Sequence, residues 1–414
     1  MTIQFPFVTS APAIAAALSL RTYLLVAKDY DDDETITLEF PDIELTHTWK
    51  KSDLPWHLVN HGQQQNKPLP KDELDTNLVE GLNPFLTSLA THLHYSSAYA
   101  FLYLFVSICS KNVPGGLTFT VRSTLPIGAG LGSSASVSVC LASAFAYLSG
   151  HVRQASLSID QKTLKDSEDC LFIDSWSFMG EKCIHGNPSG IDNAVATHGG
   201  AVMFQRMEES MPSVRTSMRN LPPLNLLLTN TKVPRKTANL VAGVSNLVTD
   251  YPKTSGLILE AMESIAREAY NLMIRPFLDQ DSRRRLMELI RINHGLLVAL
   301  GVSHPSLERV KALCDQLHIG ETKLTGAGGG GCAITLLDED MLTDVRFAEL
   351  KKKFDTEGFE TFKTTLGGKG VGLLTPTDAE LIGILTTEDF KAFKNRDQIE
   401  DSIGCSSVDA WRYW

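Results

Sequence analysis

Pro126–Ser136, reading P-I-G-A-G-L-G-S-S-A-S, sets a glycine-rich turn directly before Ala135–Leu148, a run that reads as a helix. Lacking Cβ atoms, Gly128, Gly130 and Gly132 can take left-handed backbone, so the turn with Ala129 and Leu131 can aim several N–H groups at a polyphosphate. The helix adds its positive end. Its first-turn amides have no intrahelical partners, and Ser133 and Ser134 can cap it or offer a hydroxyl to a phosphate-bound Mg²⁺. The pattern implies a nucleotide triphosphate site, although a serine-capped turn between strand and helix has the same local appearance. Two familiar loops are excluded. No Lys follows the glycines as in G-x-x-x-x-G-K-[ST], and no acidic residue sits about 20 positions on in a dinucleotide-binding unit.

A second chemistry-bearing stretch is Gly180–Thr197, G-E-K-C-I-H-G-N-P-S-G-I-D-N-A-V-A-T, dense in turn formers yet carrying Glu181, Lys182, His185, Asp192 and Asn193. Phosphoryl transfer needs one carboxylate to hold Mg²⁺ between phosphates and another to accept or orient the proton of the attacking hydroxyl. Glu181 and Asp192 suit these roles; equally, Asp192 suits a cap for a helix beginning at Asn193, and Glu181 an exposed carboxylate. His185 reads as a structural, hydrogen-bonded residue. Third, Leu324–Cys332, L-T-G-A-G-G-G-G-C, holds too many glycines for a hairpin turn, and the apolar strand that follows makes it a packed loop rather than a flexible linker.

The elements that must position these residues follow from periodicity. Phe7–Ser10, Leu20–Ala27, Thr35–Phe40 and Leu117–Ser123 read as strands, with a charged turn at Asp29–Glu34 and a polar surface excursion over Trp49–Leu74. Asn77–Ala90 and Ser96–Ile108 read as helices, the second apolar nearly all round. Past the glycine turn come a helix to Leu148, a helix through Trp176–Met179, an irregular run Gly180–Gly200 and a strand at Ala201–Gln205. Asn225–Thr229, Cys332–Leu337, Thr361–Leu366 and Gly370–Leu374 are further strands. Thr237–Val248, Ile258–Leu278, Ser282–Leu300, Ser306–Leu317 and Val345–Lys353 are helices. A domain boundary falls near 220–235, and no internal repeat is visible.

At 414 residues the chain has room for two domains, and 43% apolar with 21% charged residues describes an ordinary globular composition. A formal net charge of −10 argues against binding to nucleic acid or an anionic membrane surface. Seven widely spaced cysteines without C-x-x-C fit reduced thiols, hence a cytoplasmic setting, better than a disulfide frame or zinc site. Neither a signal peptide nor a membrane span is apparent, and the chain ends in W-R-Y-W rather than a peroxisomal address.

Taken in order, the three motifs resemble the kinase superfamily that includes galactokinase, homoserine kinase, mevalonate kinase and phosphomevalonate kinase. The stretches G-E-K-C-I-H-G-N-P-S-G-I-D-N-A-V-A-T-H-G-G, T-N-T-K-V-P-R-K-T (229–237), I-N-H-G-L-L-V-A-L-G-V (292–302) and K-L-T-G-A-G-G-G-G-C (323–332) are similar to the eukaryotic mevalonate kinase family. The likeness runs from Thr9 to about Leu374. It implies an α/β, two-domain small-molecule kinase fold: an N-terminal mixed sheet-helix domain over 1–225 and a C-terminal α/β sandwich over 226–395, with an ATP cleft between them. A tail of unassigned role covers 396–414. It further implies Mg²⁺-dependent transfer of the ATP γ-phosphoryl group to the 5-hydroxyl of (R)-mevalonate, in isoprenoid and sterol synthesis. Gly128–Ser134 would hold the triphosphate, Ser134 and Glu181 the Mg²⁺, and Asp192 would be the base or orienting carboxylate. Asp42 and Ser123 match positions near the nucleotide, and Ser189 lies in the substrate loop. A homodimer and feedback inhibition by prenyl diphosphates are family expectations.

One family feature is missing. After Ser10-Ala11-Pro12 the pattern continues with Gly-Lys, an apolar strand, Gly-Glu-His and a turn, whereas here Pro12 runs straight into Ala13. The family's active-site lysine therefore has no counterpart, since Arg21 belongs to a matched downstream segment and Lys28 lies well beyond the junction. Losing such a group costs about 10²–10⁴ in rate, and losing the strand leaves sheet edges or apolar surface to be re-paired. A skipped exon or altered transcript, a pseudokinase that binds nucleotide or prenyl diphosphate without turnover, and a deliberate deletion all fit this junction.

Overall fold

The computed structural model describes residues 13–29, 31–59, 67–89, 91–158, 167–205, 214–218, 221–222, 224–234, 237–275, 277–375 and 386–414. The sequence-predicted strand at Phe7–Ser10 and the Pro12 side of the junction lie outside them. In chain order the elements begin with β1 (Ala13–Ala16), β2 (Thr22–Asp29), β3 (Thr35–Phe40), β4 (Leu45–Lys50), α1 (Thr76–Leu82), α2 (His92–Ile108) and β5 (Gly116–Ser123). Next come α3 (Ser133–Leu148), α4 (Glu168–His185), α5 (Ile191–His198), β6 (Ala201–Gln205), β7 (Val214–Met218), β8 (Leu224–Asn230), α6 (Thr237–Asp250), α7 (Pro252–Met273) and α8 (Gln280–Ala299). The chain continues through α9 (Pro305–Gln316), β9 (Gly320–Leu324), β10 (Cys332–Leu337), α10 (Asp344–Thr356), β11 (Glu360–Leu366), β12 (Gly372–Leu373), α11 (Thr387–Ala392), α12 (Arg396–Ile403) and β13 (Arg412–Tyr413).

Two compact units form, and neither is a single run of chain. The first comprises Arg21–Leu125, Gly132–His198 and Lys369–Trp414; the second comprises the described residues up to Leu20, Pro126–Leu131 and Gly199–Gly368. In the first, a sheet of order β2-β5-β3-β4 is antiparallel except for the parallel β3–β5 pair. Strand β3 alternates buried and half-buried residues, as a sheet with one covered face requires. Helix α2 is buried nearly all round because it lies at the centre of this unit. Phe101 and Phe105 of α2, Phe119 of β5 and Phe145 of α3 meet largely edge to face, with centroids 5.3–6.2 Å apart, and all four are fully buried. Each such pair adds about 0.5–1.5 kcal/mol beyond the apolar area it buries.

In the second unit, a sheet of order β11-β8-β10-β9 packs on helices α6 to α10 around Leu227, Met262, Leu297, Val310 and Phe354. A smaller sheet of order β1-β6-β7 accompanies it. Its β1 residues Ala13–Ala16 pair antiparallel with Ala201–Phe204 and are at most 3% exposed, so this side of the junction is paired and covered. Lys323 of β9 is 1% exposed and borders a cavity of about 20 Å³ that is otherwise lined almost wholly by apolar side chains, among them Leu226, Ile265, Leu286 and Ile290. Its Nζ donates to the Leu324 carbonyl at 2.9 Å.

Most elements read from the sequence recur, with informative departures. Trp49 and Lys51, expected in a polar surface excursion, belong instead to the core: Trp49 lies within β4, packs on Phe101 and is 5% exposed. The helix expected over Asn77–Ala90 stops at Leu82 and continues as a 3-10 turn, Asn83–Phe85, because Pro84 has no amide to continue the ladder. The irregular run Gly180–Gly200 is largely helical, divided between α4 and α5. The tail 396–414 is not an appendage. Its α12 joins Tyr23 of β2 in a cluster with Phe390, Ile399 and Ile403, and β13 pairs with β12. Among the described residues no helix is long and apolar enough to cross a membrane.

Burial without a counter-charge pushes the Lys323 ammonium down to about 7 from its ordinary 10.5. Between those values the folded chain binds fewer protons than the unfolded chain, so folding stability rises with pH across that window and is held back below it. Denaturant melts should show unfolding free energy climbing by a few kcal/mol from pH 7 to 10 relative to Lys323→Met, which loses this slope. Parallel pH profiles for the two proteins would mean that the ammonium is solvated.

Candidate active site

Helix α3 begins directly after Gly132, which occupies the N-cap at φ 77° with no side-chain cap, so Ser133 and Ser134 are first-turn residues rather than caps. Gly128 and Gly130 also have positive φ, 72° and 71°, the left-handed backbone expected of an amide-presenting turn. The first helical bond runs from Ser136 N–H to the Gly132 carbonyl, leaving the preceding amides without intrahelical partners. A Cβ on Gly132 would stand 3.4 Å from the Asp192 Cβ. Glycine there serves both the turn and the approach of a carboxylate.

Helix α4 continues through Gly180, a residue that sequence reasoning treats as a breaker. A Cβ at this position would lie 2.8 Å from Ser138 Oγ of α3 and 3.0 Å from Leu104 Cδ1 of α2, so the missing side chain is what lets three helices close. The next residue, Glu181, is thereby carried to Ser134. Glu181 is 5% exposed, and burial pushes its carboxyl up to about 7; a hydrogen bond with Ser134 opposes this and the Asp192 charge reinforces it. Among the described residues its Oε1 has no hydrogen-bond partner.

An orphaned, desolvated carboxylate oxygen beside a hydroxyl is a donor set that a hard cation completes. Ser134 and Glu181 thus fit Mg²⁺, which takes few protein oxygens and fills its remaining positions with phosphate and water. Among the described residues no group of three or more His, Cys, Asp or Glu could hold a metal alone. Four residues after Glu181, on the same helix face, His185 places Nε2 3.0 Å from Ser134 Oγ. Burial pushes its imidazole down, and Asp192 opposes that shift. The sequence reads His185 as a structural, hydrogen-bonded residue, and its bond to Ser134 agrees; the i, i+4 spacing from Glu181 is the signal that sets it on the same helix face.

Asp192 sits in the first turn of α5, exposed, and α5 begins at Ile191 rather than at the expected Asn193. Among the described residues no Lys or Arg forms an ion pair with it. Lys182 is turned away, 2.9 Å from Glu73 and bonded to the Asp72 carbonyl. Arg21 donates to the carbonyls of Gly370 and Lys369 at 3.1 and 2.9 Å. Ser189 Oγ accepts from Ile191 N–H at 3.4 Å and leads into α5.

Asp42 and Ser123 form a separate group. The Ser123 amide donates to Asp42 Oδ2 at 2.7 Å, and Arg122 Nε donates to Oδ1 at 2.9 Å. The structure therefore brings Gly132, Ser134, Glu181, His185 and Asp192 together, and leaves Ser123 on the β5 side of the glycine turn with Asp42, from the short 3-10 helix Pro41–Ile43, bonded to its amide. In the second unit the third motif connects β9 to β10. A Cβ on Gly328 would collide with the Val302 carbonyl, so this loop packs backbone on backbone.

Two family descriptions match the chain: GHMP kinases N terminal domain over residues 97–200 and GHMP kinases C terminal over 274–355. The mevalonate kinase of Candida albicans is 51% identical over 408 residues, covering 97% of this chain and 94% of the relative. That of Saccharomyces cerevisiae is 42% identical, covering 97% of each. The fold also matches the crystal structure of L. major mevalonate kinase in complex with R-mevalonate, with a TM-score of 0.62 at 19% identity over 89% of this chain and 94% of that one. The chain belongs to the mevalonate kinase family of the GHMP kinases.

Proposed function

We propose that this chain is an ATP-dependent kinase that transfers the γ-phosphoryl group to the 5-hydroxyl of (R)-mevalonate. The observation that carries the reading is the meeting of Ser134, Glu181 and Asp192 at the start of a helix entered through a positive-φ glycine turn. Amides of the turn and of the first turn of α3 would receive the triphosphate. Ser134 and Glu181 would hold Mg²⁺, which when bound neutralises charge between the phosphates. His185 holds the Ser134 hydroxyl in place, and exposed Asp192 would orient the substrate hydroxyl and take its proton. Ser189, at the entry to α5, would lie on the substrate side. Likeness to mevalonate kinases over nearly the whole chain favours catalysis over a role in binding alone.

The same reading carries three further expectations: a cytoplasmic location, a homodimer, and competition from prenyl diphosphates at the phosphate-binding turn. An apolar tail does not prevent a diphosphate from using those amides.

No cation pairs with Asp192 among the described residues, so turnover should be slow relative to a chain that regains the family's lysine. Mevalonate-dependent ADP release should rise about 10²–10⁴-fold when a Gly-Lys-strand-Gly-Glu-His segment is inserted after Pro12. Equal rates would show the lysine to be dispensable and the Asp192 role wrong. Galactose or homoserine phosphorylation in place of mevalonate would overturn the substrate.

Glu181 supplies a second test. Its folded pKa of about 7 exceeds the ordinary 4.5, so the folded chain keeps a proton that the unfolded chain has released. Stability is full below about 4.5 and declines as pH rises through 7. Without Mg²⁺, Glu181→Gln should melt higher than the native protein at pH 8 and level with it near pH 4.5, a difference of up to about 3 kcal/mol. Mg²⁺ with ATP should raise the melting temperature of the native chain and leave the variant nearly unmoved. An equal response of both would remove Glu181 from the metal site.

A further inference from the structure

The C-terminal residues, which lie beyond the motifs that carry the sequence resemblance, are wired to the strand that enters the glycine turn. The Arg122 side chain at the end of β5 is 6% exposed, and its guanidinium donates to three carbonyls at the close of α11: Phe390 at 3.2 Å, Lys391 at 3.1 Å and Phe393 at 2.8 Å. Helix carbonyls of a last turn lack intrahelical donors and carry the negative end of the dipole, so a buried cation fits there. The same guanidinium reaches Asp42, whose second oxygen takes the Ser123 amide.

From Ser123 the bonding continues across the turn. Ser123 Oγ lies 3.1 Å from Thr22 Oγ1, which lies 2.7 Å from Ser136 Oγ in the first turn of α3. Leu125 N–H also donates to Ser123 Oγ at 3.2 Å. Both stems of the Pro126–Gly132 turn are thus tied to one another through Thr22, and one stem is tied to α11 through Arg122. An adjacent clasp repeats the arrangement: Thr124 Oγ1 donates to Glu400 Oε1 of α12 at 3.0 Å, and Tyr23 donates to Glu400 Oε2 at 3.0 Å.

We propose that Thr387–Trp414 is a positioning strap for the phosphate-binding turn, acting through Arg122, Asp42, Ser123 and Thr22. This rests on reading the turn as the ATP site. Arg122 and Asp42 are positioning residues: they fix where the stems stand, and the turn's amides then converge on phosphate without first losing the freedom of a loose loop. Arginine is required because its planar fork serves a carboxylate and three carbonyls at once, which a lysine ammonium cannot do.

The test measures affinity of the full chain for ATP and for inorganic tripolyphosphate by calorimetry, with hydrogen exchange of the Gly128–Ser134 amides, well below the melting temperature. Arg122→Gln should weaken both ligands by a similar factor, roughly tenfold for the loss of a charge-assisted bond, and speed exchange in the turn but not in α2. Arg122→Lys should restore little. Adding Asp42→Asn to Arg122→Gln should weaken binding no further, since both break one relay. Thr22→Val, nearly isosteric, should also weaken both ligands and decides the matter if the Arg122 variants fail to fold. A lowered melting temperature with unchanged affinities and unchanged turn exchange overturns the strap and leaves the proposed function standing. Absence of ATP binding by the unaltered chain overturns both.

Discussion

Close approach of α4 to α3 at Gly180 is the constraint on which the first unit's chemistry depends. Any side chain there would press into Ser138 and Leu104, and the helix would stand off from its neighbours. Only at the observed separation does Glu181 reach Ser134, one turn before Ser138 on the same face of α3. Glycine inside a helix costs up to about 1 kcal/mol relative to alanine. The packing of α2, α3 and α4 around the four phenylalanines offsets that cost.

Closeness also sets the electrostatics. A carboxyl desolvated between helices resists ionisation, and a second carboxylate nearby strengthens the resistance. A cation held there would relieve that penalty on Glu181, whose Oε1 has no hydrogen-bond partner among the described residues. Asp192, left exposed on α5, stays available to a hydroxyl. Two carboxylates with different burial can therefore take different tasks within one site.

The C-terminal segment changes how the unit is understood. Residues 387–414 fill a face of β2 and β5 with Phe390, Ile399, Ile403 and Trp411, and supply carbonyls and a carboxylate to side chains at the mouth of the glycine turn. Distance along the chain hides this partnership: Arg122 and Phe393 are separated by most of the molecule's sequence.

Sequence alone determined what depends on near neighbours. Three glycines before a helix specify a positive-φ turn, strict alternation specifies Thr35–Phe40 as a strand, and an apolar run specifies α2 as buried; all three recur. It also carried the family, because the motifs at 126–136, 180–200 and 323–332 are matched by composition and order. Tertiary structure decided what depends on packing. Gly180 reads locally as an interruption and becomes helical because its missing Cβ is repaid across a helix interface. Trp49 reads as part of a polar stretch and is drawn into the core by Phe101. His185 and Arg122 look like ordinary polar residues until folding sets Ser134 and the last carbonyls of α11 beside them. Local propensity acts over a few residues, whereas these placements are fixed by contacts between segments tens to hundreds of residues apart, and no pattern within either segment records its partner.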